Sequence, residues 1–285
     1  MSRVAYVNGR YVRLADAAVS IQDRAFQFGD GVYEVCQVRG GALIDEARHL
    51  ARLEASLAAL RIAAPVGAAA LRRIVREIVA RNRVGDGLAY IQVSRGAAKR
   101  DHGFPSGAVA PSLVVSAKSI DPGVGEANAS RGVSVVSVSD QRWAHPHIKT
   151  LQLLPNVLAK QAAREAGATE AWFVDANGFV TEGASTNAWI VDADSALVTR
   201  QADSAILRGV TRSTLLDVAA SQGLSFHERP FSVEEAYRAR EAFFSSATTV
   251  AMPVVAIDGR PIGDGRPGPL TLALRRRFHD VAERT

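Results

Sequence analysis

The sequence predicts an α+β protein built as two domains. Three observations carry that reading. The chain has 285 residues, more than a single small core organises comfortably. Its hydrophobic pattern switches several times between the alternation of strands and the three-to-four spacing of helices. Near its middle, Ser119 to Ser130 is rich in Gly, Ser, Asp and Pro and has no period, as an interdomain linker would be. The expected domains are therefore 1–118 and 131–285, joined by a linker at 119–130.

The elements follow in order. Ala5 to Val7 and Tyr11 to Val12 flank Asn8-Gly9, a turn dipeptide that favours a hairpin. Gly31 to Val38 alternates like a half-buried strand. From Glu46 to Leu60 the residues Leu50, Leu53, Leu57 and Leu60 recur at helical spacing, and a second helix fits Ala68 to Asn82. Strands at Leu88 to Arg95 and Ser112 to Ala117 enclose a polar loop, Gly96 to Ala110. That loop is long for a hairpin and so is a candidate functional segment. A strand at Val133 to Val138 opens the second half, and a helix covers Asn156 to Ala166. Glu170 to Val191 reads as strand, turn, loop and strand. Helices fit Thr211 to Gln222, Ser232 to Ala239 and Leu270 to Arg284, with strands at Ala242 to Phe244 and Val254 to Ile257.

Composition narrows the function classes. Hydrophobic residues make up 47% and charged residues 22%, as in ordinary globular proteins. No apolar stretch is long enough to span a bilayer, and the N-terminal segment lacks the apolar core of a signal peptide. A single cysteine, Cys36, allows no intrachain disulfide, so a cytoplasmic setting is expected. The net charge of +5 and pI near 9.7 do not argue for nucleic acid. The arginines are scattered among acids, and the runs at Arg72, Arg73, Arg76 and Arg275 to Arg277 sit in helical segments whose faces are solvated by default.

Lysine is scarce: Lys99, Lys118, Lys149 and Lys160 are the four. Lys149 stands in an apolar neighbourhood, after Trp143 and Ile148 and before Leu151, Leu153 and Leu154. Desolvation lowers an amine's proton affinity, and the neutral amine is the form that attacks an aldehyde. Taken alone, the segment fits a surface loop lysine slightly better. Glu182 follows a strand in Val180-Thr181-Glu182-Gly183-Ala184-Ser185-Thr186-Asn187. A carboxylate so placed can keep a pyridine nitrogen protonated, although taken alone the segment fits a polar turn glutamate better. Leu207-Arg208-Gly209-Val210-Thr211-Arg212 opens a helix whose free N–H groups can bind an anion. Ser245-Ser246-Ala247-Thr248-Thr249 offers a second set of small donors, and Arg52 can supply a guanidinium. In an extended polar loop, Arg100 and His102 project to one side, a plausible grip for a carboxylate. No set of ligands completes a zinc site around His145 and His147. No Walker, GxGxxG or GxSxG pattern occurs.

In chain order these segments resemble the fold-type IV aminotransferases that use pyridoxal 5'-phosphate. They are Asp23-Arg24-Ala25-Phe26-Gln27-Phe28-Gly29-Asp30-Gly31-Val32-Tyr33-Glu34, His49-Leu50-Ala51-Arg52-Leu53, Ile148-Lys149-Thr150-Leu151, Thr181-Glu182-Gly183, Gly209-Val210-Thr211-Arg212 and Ser245 to Thr249. The resemblance implies a two-domain fold with the cofactor between the domains and a homodimer in which the Arg100 to His102 loop can reach the neighbouring subunit's site. It implies that Lys149 is the Schiff-base lysine and proton shuttle and that Glu182 partners the ring nitrogen. It implies a phosphate cup of Arg52, Gly209, Val210, Thr211, Ala247 and Thr248, with Leu207 behind the ring. The Arg-x-His pair, Arg100 and His102, marks the D-amino-acid branch. With Tyr33 it implies a trap for the substrate carboxylate. Ala247 stands where the family has a hydroxyl residue, and Lys99 and Asp101 alter the loop charge. The expected substrates are small D-amino acids, of the D-alanine and D-glutamate type, and 2-keto acids; neither nucleic acid nor membrane is an expected partner. The alternatives are a branched-chain L-amino-acid or (R)-amine aminotransferase, an aminodeoxychorismate lyase, and a non-catalytic phosphate-binding protein.

Overall fold

A computed structural model describes residues 3–285 and divides them into two compact units. The first holds the described part of Met1–Asp121 together with Ile148–Gln152 and Glu283–Thr285. Its elements are β1 (Val4–Val7), β2 (Arg10–Arg13), α1 (Arg24–Phe28), β3 (Gly31–Arg39), β4 (Ala42–Leu43), α2 (Glu46–Ala59), α3 (Ala68–Arg81), β5 (Gly87–Ser94) and β6 (Ser112–Ser119). The strands form one antiparallel sheet in the order β2-β1-β6-β5-β3-β4. Alternation does the sorting here. Val32, Cys36 and Val38 of β3 and Ile91 and Val93 of β5 pack with Leu50, Leu53 and Leu57 of α2 and Ile74 and Ile78 of α3. The intervening residues Tyr33, Val35 and Gln37 lie half-buried on the opposite face.

The second unit holds Pro122–His147 and Leu153–Ala282. Its helices are α4 (Pro122–Arg131), α5 (Leu154–Glu165), α6 (Val210–Ser221), α7 (Val233–Tyr237) and α8 (Pro269–Val281). Its strands are β7 (Val133–Ser139), β8 (Glu170–Val174), β9 (Val180–Gly183), β10 (Asn187–Val191), β11 (Leu197–Thr199), β12 (Phe226–Glu228), β13 (Glu241–Ser246), β14 (Val250–Ile257) and β15 (Arg260–Pro261). Their sheet runs β12-β11-β10-β13-β14-β7-β8-β9, with β15 on β14. It mixes parallel and antiparallel neighbours, and β10 is buried along its whole length, as a strand covered on both faces must be.

Two boundary expectations differ from the structure. The stretch 119–130 is not an irregular linker: Ser119 ends β6, and Pro122 begins α4. Proline is well suited to the first turn of a helix, and the two glycines of Pro122-Gly123-Val124-Gly125 hid the helical period. Second, Lys149 was expected with the C-terminal domain, but Ile148–Gln152 packs in the first unit. There Tyr33 N donates to Lys149 O at 3.0 Å, and Leu151 N donates to Gly31 O at 3.0 Å. Residue 31 must be glycine for this approach, since a Cβ would meet Val93 O at 2.6 Å and Leu151 Cδ1 at 2.7 Å. Among the described residues, no helix is long and apolar enough to cross a membrane, and no group of three His, Cys, Asp or Glu is placed to hold a metal ion.

Candidate active site

In the first unit the lysine, the strand β3 and the helix α2 converge. Lys149 is half-buried, and its Nζ lies 4.3 Å from the centre of the Tyr33 ring, within cation–π range. Its backbone N–H donates to Ser56 Oγ at 3.3 Å, one helical turn beyond Arg52. Glu34, next to Tyr33 but on the opposite face of β3, is fully buried. Arg52 grips it with two bonds, Nε to Oε1 at 2.7 Å and Nη2 to Oε2 at 2.8 Å, and His49 Nδ1 meets Oε2 at 2.8 Å. Burial alone would raise the Glu34 carboxyl. The charge of Arg52 and the bonds from Arg52 and His49 outweigh it and hold the group well below the usual carboxylate range. Burial likewise lowers His49 against the pull of Glu34. A neutral His49 facing a carboxylate carries its proton on Nδ1. The sequence singled out Tyr33, Arg52 and Lys149, and the structure brings all three to this corner. Glu34 and His49 stood in the quoted motifs without a role.

Arg100 and His102 also come together, on a platform the sequence reading did not name. The Arg100 guanidinium lies 5.1 Å from the centre of the Phe28 ring, and the His102 ring 5.4 Å from it. Both are exposed. Tyr33 does not join them by ring contact. It meets Tyr90 at 5.7 Å, and burial, with Tyr33 nearby, pushes the Tyr90 phenol up to about 12.

In the second unit Glu182 sits buried on β9 among donors. Arg142 Nη1 donates to its Oε1, Asn187 Nδ2 to its Oε2 at 3.1 Å, and Leu207 N to both oxygens at 3.2 and 3.1 Å. Arg142 is itself held by Asp140, at 2.9 and 2.7 Å, and donates to Thr181 Oγ1 at 3.1 Å. Burial opposes both charges of the Arg142–Asp140 pair. The bonds and charges between them win, so Arg142 is raised and Asp140 lowered. Glu182 is thus an acceptor fixed by three donors. Arg142 escaped the sequence reading. The only signal was an acid and a base, Asp140-x-Arg142, just past β7, and the parallel pairing of β7 with β8, next to β9, was needed to bring them to Glu182.

Asn187 ties this carboxylate to the helix start. Its Nδ2 also donates to Leu207 O at 3.0 Å, and its Oδ1 occupies the space a side chain at Gly209 would need, 2.0 Å from an ideal Cβ. Gly209 is the N-cap of α6, leaving the N–H groups of Val210 and Thr211 without an intrahelical acceptor. Asn187 pairs with Ser245 across β10 and β13, so the turn carrying Ala247 and Thr248 belongs to the same end of the sheet. In that turn Ser246 Oγ lies 2.8 Å from Thr248 Oγ1 and 2.9 Å from Thr249 Oγ1. A helix N-terminus beside a cluster of hydroxyls suits a phosphate monoester.

Comparison with known proteins adds a second line. The family model Amino-transferase class IV matches residues 31–257. A D-alanine aminotransferase of Bacillus licheniformis is 39% identical over 264 residues, 93% of this chain and 92% of its own. One of Staphylococcus haemolyticus is 36% identical over 279 residues, 98% of this chain and 97% of its own. Among solved structures, a T.th. branched-chain amino acid aminotransferase with pyridoxamine 5'-phosphate has a TM-score of 0.92 at 26% identity, covering 98% of this chain and 94% of that one. The branched-chain enzyme of Escherichia coli has a TM-score of 0.91 at 25% identity, covering 99% and 95%.

Proposed function

The chain belongs to the class IV aminotransferases, and from that premise we propose that it moves the amino group of a small D-amino acid to a 2-keto acid, with pyridoxal 5'-phosphate as its cofactor. The observation that carries this is the 36–39% identity to D-alanine aminotransferases over nearly the whole chain. The residues fit the group. The α6 N-terminus, cleared by Gly209, and the Ser246 to Thr249 hydroxyls suit its phosphate; Arg52, its Nε and Nη2 taken by Glu34, would contribute charge and not its fork. Glu182, a carboxyl group held in place by Arg142, suits a ring nitrogen. Leu207, whose N–H is spent on Glu182, leaves its side chain to lie behind the ring.

Pyridoxal phosphate supplies an aldehyde that condenses with amines and a ring that withdraws electrons. Lys149 would hold the cofactor through Nζ, and the same Nζ is the group that would take and return the proton at the substrate α-carbon. Glu182 would face the ring nitrogen. Arg100, His102 and Tyr33 hold the substrate carboxylate, and with carboxylate and amine both fixed, one enantiomer presents its hydrogen to Lys149. The two half-reactions share one site, so the kinetics are ping-pong. The active form is a homodimer in which the exposed Arg100 to His102 loop serves the neighbouring protomer's site. The setting is cytoplasmic, consistent with a lone buried Cys36. The test compares D-alanine with L-leucine as donors to 2-oxoglutarate. D-alanine is the better donor on this reading, and faster turnover of L-leucine overturns it.

A further inference from the structure

One arginine and one phenylalanine at opposite ends of α1 take no part in the cofactor chemistry above. Arg24 is 3% exposed. Its Nε donates to Asp30 Oδ2 at 2.7 Å, its Nη1 to the backbone carbonyl of Asp101 at 2.7 Å, and its Nη2 to that of His102 at 3.4 Å. Phe28 carries three groups on its ring: the guanidiniums of Arg24 at 4.8 Å and Arg100 at 5.1 Å, and the His102 ring at 5.4 Å. The chain entering the loop is zipped to the same segment, with Arg24 N donating to Gly96 O at 2.9 Å and Ala98 N to Gln22 O at 3.2 Å. Arg95 shares Asp30 with Arg24, at 2.8 and 3.0 Å, and lies 3.8 Å from the Phe104 ring two residues past His102.

These contacts have a direction. A buried guanidinium that bonds the carbonyls of residues 101 and 102 fixes the peptide planes on either side of His102, and so fixes where that side chain leaves the backbone, while Arg100 is aimed through the Phe28 ring. The aromatic face then selects their rotamers through cation–π and ring contacts. The side chains so aimed are otherwise exposed and would sample many rotamers. We infer that Arg24 and Phe28 are positioning residues for the substrate carboxylate, acting through the backbone and rotamers of Arg100 and His102. The inference rests on the reading of Arg100 and His102 as the carboxylate grip.

The experiment uses the holoenzyme and two readouts: the KM and kcat for D-alanine, and the affinity for propionate, a bare carboxylate, titrated through the absorbance of the bound cofactor. The variants are Arg24→Lys, Phe28→Leu, Phe28→Tyr and Arg100→Ala. Arg24→Lys and Phe28→Leu are expected to weaken propionate binding and raise KM at least about tenfold, which is ~1.4 kcal/mol. The kcat stays within roughly threefold, because the group positioned binds carboxylate and does not react. Phe28→Tyr, which keeps the ring face, behaves as the wild type; a merely structural role for Phe28 would not separate Tyr from Leu by propionate affinity. If Arg24→Lys fails to fold, the contrast of Phe28→Leu with Phe28→Tyr decides alone. Unchanged propionate affinity in the Arg24 and Phe28 variants, with weakened affinity in Arg100→Ala, overturns the inference and leaves the grip standing. Unchanged affinity in Arg100→Ala overturns the grip itself.

Discussion

Gly209→Ala adds one methyl group at the point where the α6 start, Asn187 and the Glu182 carboxylate meet. The backbone does not object: φ −62° and ψ 133° suit alanine, and a less flexible unfolded chain contributes about 0.4–1 kcal/mol in its favour. The obstacle is Asn187 Oδ1, 2.0 Å from the new Cβ, with Arg212 Cβ at 3.2 Å behind it. The side chain of Asn187 can swing aside only by giving up its bonds to Glu182 and Leu207 O. That loses about 1.5–3 kcal/mol for the charged acceptor and about 0.5–1.5 for the neutral one. Alternatively the helix start shifts, at the ~1–3 kcal/mol typical of overpacking. The molecule takes the cheaper route, so the net destabilisation is about 2 kcal/mol, or a fall in melting midpoint of roughly 4–8 °C. A thermal scan of the purified protein measures it, and a double-mutant cycle with Asn187→Ala isolates the cause. In the Asn187→Ala background the added methyl still meets Arg212 Cβ at 3.2 Å but no longer Asn187 Oδ1, and costs much less. Additive losses in the double variant, or a Gly209→Ala protein as stable as the wild type, refute this reasoning.

Three further outcomes are expected. Borohydride reduction should fix the cofactor to Lys149, and Lys149→Ala should lose at least the ~10²–10⁴-fold of a missing general base; a reduced cofactor mapped to Lys99, Lys118 or Lys160 refutes the assignment. Arg142→Met leaves Asp140 and Glu182 buried without their cation, and urea titration should find it destabilised by about 3–5 kcal/mol, with Arg142→Lys intermediate; equal stability of Arg142→Met and wild type counts against the clamp. For Asp30, burial raises the carboxyl, but the bonds and charges of Arg95 and Arg24 lower it further. A depressed folded value means stability present above the unfolded value near 3.9 and lost as pH falls through the folded one. An amide at this position carries no titratable proton, so the urea midpoint of Asp30→Asn should fall less steeply than that of wild type below about pH 4; parallel curves refute it.

What the sequence made legible follows from the range of the interactions involved. Helix α2 was legible because Leu50, Leu53 and Leu57 repeat on one face, and that face is the buried one. The period of α5 was also legible, but its bulky residues misdirect. Leu154, Val157 and Leu158 are exposed, while the small Ala159 and Ala163 pack inward. Helix α1 is too short for a period to show, and its stop is Gly29, held in the left-handed conformation. At the site, Lys149 could be singled out because lysine is scarce and its segment is apolar, and Glu182 because a run of small polar residues follows it between two strands. Their supports could not. Arg142 reaches Glu182 across 40 residues, Arg24 reaches the Asp101 carbonyl across 77, and no local pattern encodes either contact.

The path of the chain limits how this protein can be taken apart. It passes from one unit to the other at 121–122, returns at 147–148, leaves again at 152–153 and ends in the first unit from residue 283. Val32 pairs with Thr150 in a lone bridge, and Leu43 exchanges both backbone bonds with Thr285. A fragment ending at residue 121 therefore lacks the lysine segment and the C-terminal residues that bond to Leu43, although it carries the whole six-stranded sheet. Chimeras between relatives should inherit 148–152 and 283–285 from the parent that donates the first unit. A single crossover near the middle of the gene joins β3 to a lysine segment that evolved against a different strand.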